Sequence, residues 1–326
     1  MILGNTIPPV LEIRGLKISF KQYKKGFKQT DLEVIRDLDV RVPAGEIVAV
    51  VGSSGSGKSL LAHAVLGILP YNASVSGEIL YDGKALTESR LKKLRGDEIV
   101  LVPQSTAYLD PLMKTGIQIR KGKNDAASKE KLRKIFREYE LAPEVEEQYP
   151  FELSGGMTRR IMNSTALMGN PRLVIADEPT PGLHISVARR AMEHFRELAD
   201  MGAGVLLITH DLELAVETAD RIAVFYAGST LEEVPAADFV SCDTLHHPYS
   251  QALWHAMPKN GFRPISGTQP YASEMPQGCP FGPRCPRYTQ ECSQSIPWKT
   301  VGDGRVRCLH IEEKADMAQK TAQEMA

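Results

Sequence analysis

Eight consecutive residues, Gly52-Ser53-Ser54-Gly55-Ser56-Gly57-Lys58-Ser59, have the types and spacing of a phosphate-binding loop. Lys58 is placed to reach the β- and γ-phosphates of a nucleoside triphosphate, and the Ser59 hydroxyl to ligate Mg²⁺. The flanks suit that chemistry. Glu46-Ile47-Val48-Ala49-Val50-Val51 reads as a buried strand, and Leu60-Leu61-Ala62-His63-Ala64-Val65-Leu66-Gly67 reads as a helix. A strand feeding a glycine turn feeding a helix gathers backbone N–H groups and a helix N-terminus around one point, and that point attracts phosphate.

The residues that would act on the triphosphate come later. Leu173-Val174-Ile175-Ala176-Asp177-Glu178 is an apolar strand ending in two carboxylates, with Asp177 suited to hold Mg²⁺ through water and Glu178 to polarise an attacking water. A strand ending in Asp-Glu is common, so its weight comes from its surroundings. Leu153-Ser154-Gly155-Gly156-Met157 precedes it, Thr209-His210-Asp211 closes the strand Val205-Leu206-Leu207-Ile208, and Gln104 ends the run Ile99-Val100-Leu101-Val102-Pro103. In this order the motifs resemble those of the ATP-binding cassette (ABC) ATPases.

The resemblance implies a role for each position. Gly52, Ser53, Ser54, Gly55, Ser56, Gly57, Lys58 and Ser59 correspond to the Walker A loop, with Leu60 following them in the nucleotide-binding set. Gln104 corresponds to the glutamine that senses Mg²⁺ and the transmembrane partner, so Mg²⁺ is expected at Ser59, Gln104 and Asp177. Ser154, Gly155 and Gly156 correspond to the signature that caps ATP held by the opposite subunit. Asp177 corresponds to the Walker B aspartate, Glu178 to the catalytic glutamate and His210 to the switch histidine. Phe20 is placed like the aromatic residue that stacks on adenine, with Tyr23 a competitor and a core position the plainer reading. Two positions depart from the family pattern. His184 stands where Asp is usual, in a loop expected at the dimer interface. Thr158-Arg159-Arg160 brings arginine where glutamine is usual, which is expected to add charge near the capped ATP.

Around these motifs the chain alternates strands and helices, predicting an α/β fold. Strands are expected at 10–13, 32–35, 39–42, 77–81, 98–102, 172–176, 204–209 and 220–226, and helices at 58–68, 129–140, 155–168, 186–200 and 212–219. Those before the loop suggest an antiparallel β layer, and 105–165 a helical subdomain. The apolar face of 186–200 (Val187, Ala188, Ala191, Met192, Phe195, Leu198, Ala199) is core, and Arg120 to Asp125 is a solvated loop. With 39 Lys+Arg against 40 Asp+Glu there is no basic surplus to suggest nucleic acid binding. No run approaches the ~18 apolar residues of a membrane span, so a transporter built on this chain needs its membrane part from another chain.

From Met257 the composition changes. Eight of the 21 prolines lie between 258 and 297, followed or interleaved by Cys279, Cys285, Cys292 and Cys308. His246-His247-Pro248-Tyr249-Ser250-Gln251-Ala252-Leu253 opens a short helix before them. His247-Pro248-Tyr249 and Gly278-Cys279-Pro280-Phe281-Gly282-Pro283-Arg284-Cys285-Pro286 resemble the carboxy-terminal extension of the oligopeptide/dipeptide/nickel branch of ABC importers. Expected domains are an ATPase domain at 1–257, a Cys-rich extension at 258–312 and a polar tail at 313–326. A disulfide is disfavoured in a cytosolic ATPase. Intervals of five, six and fifteen residues between the cysteines are wider than the tight pairs of structural zinc. They suit a [4Fe–4S] cluster, which the resemblance also implies, with zinc the second reading, His310 an alternative ligand for it, and unliganded thiols the third. Cys242 reads as an ordinary free thiol. Because the tail is separated in sequence from every nucleotide motif, its role is expected to be structural or in subunit contact.

The resemblance therefore implies an ATP-hydrolysing subunit energising import of peptides, or of nickel or another metal chelate. It would be peripheral on the cytoplasmic face of the inner membrane. Its implied partners are a second, different ABC subunit, two permease subunits and an extracytoplasmic binding protein. The competing readings are a soluble ABC ATPase acting on the ribosome or DNA, and a redox-sensing regulatory subunit. The single P-loop and the lack of sustained heptads between Gln104 and Ser154 argue against the former, and the presence of Glu178 against the latter.

Overall fold

In the computed structural model, which describes residues 8–23 and 29–311, the amino-terminal pattern becomes an antiparallel layer. Strand β1 (Leu11–Tyr23) pairs with β2 (Gln29–Val42), and after β3 (Ile47–Val51) and helix α1 (Lys58–Leu66) the chain returns as β4 (Ala73–Tyr81) on the other edge of β1. The two-residue β5 (Lys84–Ala85) and helix α2 (Glu88–Leu94) complete this layer. Neither was expected, being short and polar.

The parallel part holds β6 (Ile99–Val102), β7 (Leu173–Asp177), β8 (Gly204–Thr209), β3 and β9 (Arg221–Tyr226), in the spatial order β6-β7-β8-β3-β9. Every residue of β3, β7 and β8 is buried. Alternation of side chains sends Ile47, Ala49 and Val51 into one core, and Val48 and Val50 into the other. The first core lies under α3 (Thr115–Ile119), α4 (Ala126–Glu138), α5 (Gly155–Leu167) and α6 (Ile185–Asp200). The second is closed by α1 and the antiparallel layer. Helices α3 to α5, with short 3₁₀ turns, make the expected helical segment.

Helix α7 (Leu212–Thr218) leads to β9, and β10 (Ser229–Pro235) bridges β9 and β2. Helix α8 (Pro248–His255) precedes the proline-rich stretch, after which two strands absent from the sequence reading appear, β11 (Lys299–Val301) and β12 (Gly304–Val306). Strand β12 pairs with both β11 and β10, so the carboxy-terminal region continues the sheet. Met257 and Phe281 join the first core. The expected polar tail, 313–326, lies outside the described residues. Among those described, no helix is long and apolar enough to cross a membrane.

Candidate functional site

The site forms where β3, β7 and β8 end. After Val51 the chain must turn against β9: a Cβ on Gly52 would collide with the Phe225 carbonyl, so only glycine fits. Gly57, at φ 95°, is the N-cap of α1, and a Cβ there would meet Ile35 Cδ1 at 2.5 Å. Ser54 and Gly55 are exposed, while Ser56 is buried. Leu60 packs toward the second core and donates its N–H to the Gly57 carbonyl at 3.0 Å. Lys58 is buried and donates its Nζ to the carbonyls of Gly52 (2.9 Å) and Ser53 (3.0 Å). Burial lowers its pKa, and the nearby carboxylates Glu178 and Asp177 oppose the shift.

Asp177 closes β7 almost fully buried, and desolvation raises its pKa against a hydrogen bond from the Ser59 hydroxyl. Its Oδ1 is buried with no hydrogen-bond partner. An orphaned carboxylate oxygen beside a serine hydroxyl is a donor pair suited to a hard divalent cation, so these residues fit Mg²⁺. Glu178 sits at φ 50°, a left-handed conformation uncommon for a residue with a Cβ, held by its N–H to the Ile208 carbonyl at 2.8 Å. The twist aims its carboxylate at the end of β8, where Oε2 is 2.8 Å from His210 Nδ1. His210 itself is exposed. Lys58, Ser59, Asp177, Glu178 and His210 are thus brought together.

Other expected residues lie around this group. Phe20 is half-buried in β1, packed against the second core, whereas Tyr23 is 70% exposed and its hydroxyl accepts from Gln29 Nε2. Gln104 is exposed after β6. Ser154 is the N-cap of α5, accepting from Met157 N at 3.3 Å. Gly155 is open to solvent, and a Cβ on Gly156 would be 3.5 Å from the Gly182 carbonyl, so the Ser-Gly-Gly turn lies beside the loop carrying His184. His184 caps α6, with Nδ1 2.9 Å from Ser186 Oγ.

Two expectations are corrected. The arginines after the signature do not project charge toward a capped nucleotide. Arg159 is buried and donates to the carbonyls of Pro103 (3.0 Å) and Gln104 (2.6 Å), and Arg160 to those of Tyr139 (2.8 Å) and Glu140 (3.0 Å). A guanidinium inside a fold seeks carbonyls, and the loop after β6 offers two. Nor is the carboxy-terminal region remote from the nucleotide motifs. The Ser53 hydroxyl donates to Gln269 Oε1, and the Tyr249 hydroxyl lies close enough to Ser53 for it to oppose the rise that burial gives the Tyr249 pKa. Partners separated by about two hundred residues leave no local signal in the sequence.

All five cysteines are free thiols. Cys292 and Cys308 are buried, Cys279 and Cys285 half-buried. Cys279 is pushed up to about 12, first by burial and then by Cys285, Cys308 and Cys292, so the four share one neighbourhood. Cys292 Sγ is 3.5 Å from His310 Nε2, and Cys279 Sγ 3.8 Å from His247 Nε2. As a donor set four thiols suit a soft metal centre. They are not drawn into a closed shell: among the described residues no group of three or more His, Cys, Asp or Glu side chains is placed to hold a metal ion.

Comparison with known proteins agrees with this geometry. Residues 35–181 match the ABC transporter family, and residues 231–292 match the oligopeptide/dipeptide transporter C-terminal region. The chain is 33% identical over 317 residues to the oligopeptide transport ATP-binding protein OppD of Salmonella typhimurium, covering 91% of this chain and 92% of the relative. It is 34% identical over 320 residues to the dipeptide transport ATP-binding protein DppD of Haemophilus influenzae, covering 92% and 94%. Among solved structures it is similar to a dimeric ATP-binding cassette in a post-hydrolysis state bound to ADP and Pi. That similarity has a TM-score of 0.59 and 25% identity over 69% of this chain and 98% of the other. With a nucleotide loop, paired carboxylates and a histidine converging as they do, this chain belongs to the ABC ATPases, in the branch of ATP-binding proteins of oligopeptide and dipeptide transporters.

Proposed function

We propose that this chain is the ATP-hydrolysing subunit that energises import of peptides through a separate permease. The observation that carries the reading is the convergence of Lys58, Ser59, Asp177, Glu178 and His210, in a chain similar over nine-tenths of its length to peptide-transport ATP-binding proteins.

The phosphate loop, Gly52 to Ser59 with Leu60, cradles the phosphates with its N–H groups, and Lys58 turns from the loop carbonyls to the β- and γ-phosphates. Ser59 and Asp177, with Gln104 from the loop after β6, hold Mg²⁺, which when bound supplies charge neutralisation at the transferring phosphoryl group. Glu178 accepts a proton from the attacking water as the water oxygen closes on the γ-phosphorus and the bond to the β–γ bridging oxygen breaks, leaving ADP and phosphate. His210 fixes the rotation of that carboxylate through Nδ1. Phe20, or exposed Tyr23, stacks on adenine. Ser154, Gly155 and Gly156 serve the nucleotide of the opposite subunit, so the working unit is a dimer, here with a second and different ABC chain.

An apolar series on the helical segment, Tyr108, Leu112, Met113, Ile117 and Phe151, is exposed and supports docking to two permease subunits at the membrane's cytoplasmic face. An extracytoplasmic binding protein would deliver the cargo, and nucleic acid has no part. The names of the relatives favour peptides over nickel or another chelate as cargo. We place the ATPase domain at 1–257 and the extension at 258–312, followed by the tail. Cys279, Cys285, Cys292 and Cys308 are assigned to a [4Fe–4S] cluster, ahead of zinc, on their number, intervals and mutual proximity.

The test is uptake. The chain, co-purified with its permease and binding protein and reconstituted in vesicles, should accumulate labelled di- to oligopeptides on ATP addition. Accumulation of a nickel chelate with no peptide uptake would overturn the substrate class.

A further inference from the structure

Ser53 is gripped from both sides. On the inner side its carbonyl, with that of Gly52, accepts from Lys58 Nζ. On the outer side two residues of the carboxy-terminal region meet it: its hydroxyl donates to Gln269 Oε1, and the Tyr249 hydroxyl lies against its backbone and side chain, which oppose the rise that burial gives the Tyr249 pKa. Tyr249 is buried and cannot swing away. Its ring lies 4.5 Å from that of Tyr226 and 5.3 Å from that of Phe281.

One arginine ties the two outer contacts together. Arg284 lies over the rings of Tyr226 (5.8 Å) and Phe281 (5.7 Å) and donates Nη1 to the Tyr226 hydroxyl at 3.0 Å. Its Nε and Nη2 donate to the carbonyls of Ser266 (2.7 Å) and Ile265 (3.0 Å), which fixes the loop that carries Gln269. The two rings packed on Tyr249 and the loop bearing Gln269 thus share an anchor.

The loop they hold is one that needs holding. Gly52, Gly55 and Gly57 have φ of 157°, 77° and 95°, and glycines in such conformations lose much freedom when a ligand orders them. A contact that restricts the loop beforehand lowers that cost at the moment of binding.

We propose that Tyr249 and Gln269 are positioning residues of the ATP site, a two-point clamp by which the carboxy-terminal region pre-orders Ser53 and with it the phosphate loop. The proposal rests on the reading of Gly52 to Ser59 as the nucleotide loop. It gives the carboxy-terminal region a task in the ATPase cycle, in addition to any metal it holds. Pre-ordering acts equally on bound ground state and transition state, so its loss raises KM and leaves kcat nearly unchanged. A buried tyrosine that merely satisfies its own hydroxyl would instead lower thermal stability without moving KM.

The experiment uses the full chain and a ribose-labelled fluorescent ATP analogue with Mg²⁺. Tyr249→Phe keeps the ring and its packing and removes only the hydroxyl; Gln269→Ala removes the other contact. Each should weaken binding about 3- to 10-fold, the span of one or two hydrogen bonds. In the assembled transporter each should raise KM for ATP with kcat within about twofold. In a Ser53→Ala background, Gln269→Ala should cost nothing further, because the two share one bond. Wild-type affinity in both variants, or independent additive losses with Ser53→Ala, overturns the clamp. Lys58→Ala, which should abolish binding, separates the two levels. If it binds nucleotide as wild type, the phosphate-loop reading falls and the clamp with it. If it fails to bind while both clamp variants are normal, the clamp alone falls.

Discussion

His184 stands in a loop beside the signature turn, exposed, its Nδ1 occupied by Ser186 in capping α6. A capping aspartate would make the same local bonds, so helix capping alone is served by either residue. What histidine lacks is a fixed negative charge, and at a dimer interface that charge would act on the partner's nucleotide. This chain's own Lys58, Asp177, Glu178 and His210 are all present, so the two ATP sites of the working dimer are expected to differ. His184→Asp in the assembled dimer, with each site silenced in turn by its own glutamate-to-glutamine change, should raise hydrolysis at the partner's site alone; an unchanged rate there would refute the inequivalence. At this scale the nucleotide motifs were legible because each is contiguous and the chemistry of phosphate and Mg²⁺ demands those types at that spacing. Arg159 was misread because its destination, the carbonyls of Pro103 and Gln104, is set by packing some 55 residues away.

Strand β10 explains what was hidden among elements. Ser229-Thr230-Leu231-Glu232-Glu233-Val234 has no apolar alternation, yet all six residues are buried. Three of its polar side chains are matched by partners. Thr230 Oγ1 bonds both N and O of Asp39, Glu232 accepts from the N–H groups of His246 and His247, and Glu233 pairs with Arg221 and Arg305. Strands β3, β7 and β8 declared themselves by apolar runs, whereas β10 is built from partners supplied by distant segments. The helical segment is tied to α6 in a comparable way. His194 is buried on α6, with Nε2 2.9 Å from Glu138 of α4 and its ring 4.9 Å from Tyr139. Burial lowers its pKa below the ordinary 6.5, with Arg190 adding to the shift and Glu138 opposing it. The native state therefore holds His194 neutral while the unfolded chain takes up a proton below about 6.5. Stability from this group is present above that pH and is lost as pH falls through it. Thermal melts at about pH 7.5 and about pH 5.5 should differ less for His194→Gln than for wild type; an equal difference would remove His194 from the acid response.

For the whole molecule, the sheet runs without a break from the antiparallel layer through β10 to the parallel core, and β12 joins it at β10, so the cysteine region and the ATP site share one framework. Composition alone separated them, because a proline-rich stretch reads as a boundary wherever it folds. The metal assignment belongs at this scale too. Protein purified without oxygen should be brown and carry about four iron per chain, lost on Cys279→Ser or Cys308→Ser. Stoichiometric zinc without iron would transfer the site to zinc.

The central claim is that this chain hydrolyses ATP through Glu178, oriented by His210 beside Lys58 and Asp177. Its most direct test is single-turnover hydrolysis in the assembled transporter, with the partner ATPase silenced at its own glutamate so that only this chain's site acts. Glu178→Gln should bind ATP with Mg²⁺ as tightly as wild type and lose hydrolysis by about 100-fold or more. Hydrolysis at the wild-type rate with glutamine at 178 would contradict the account.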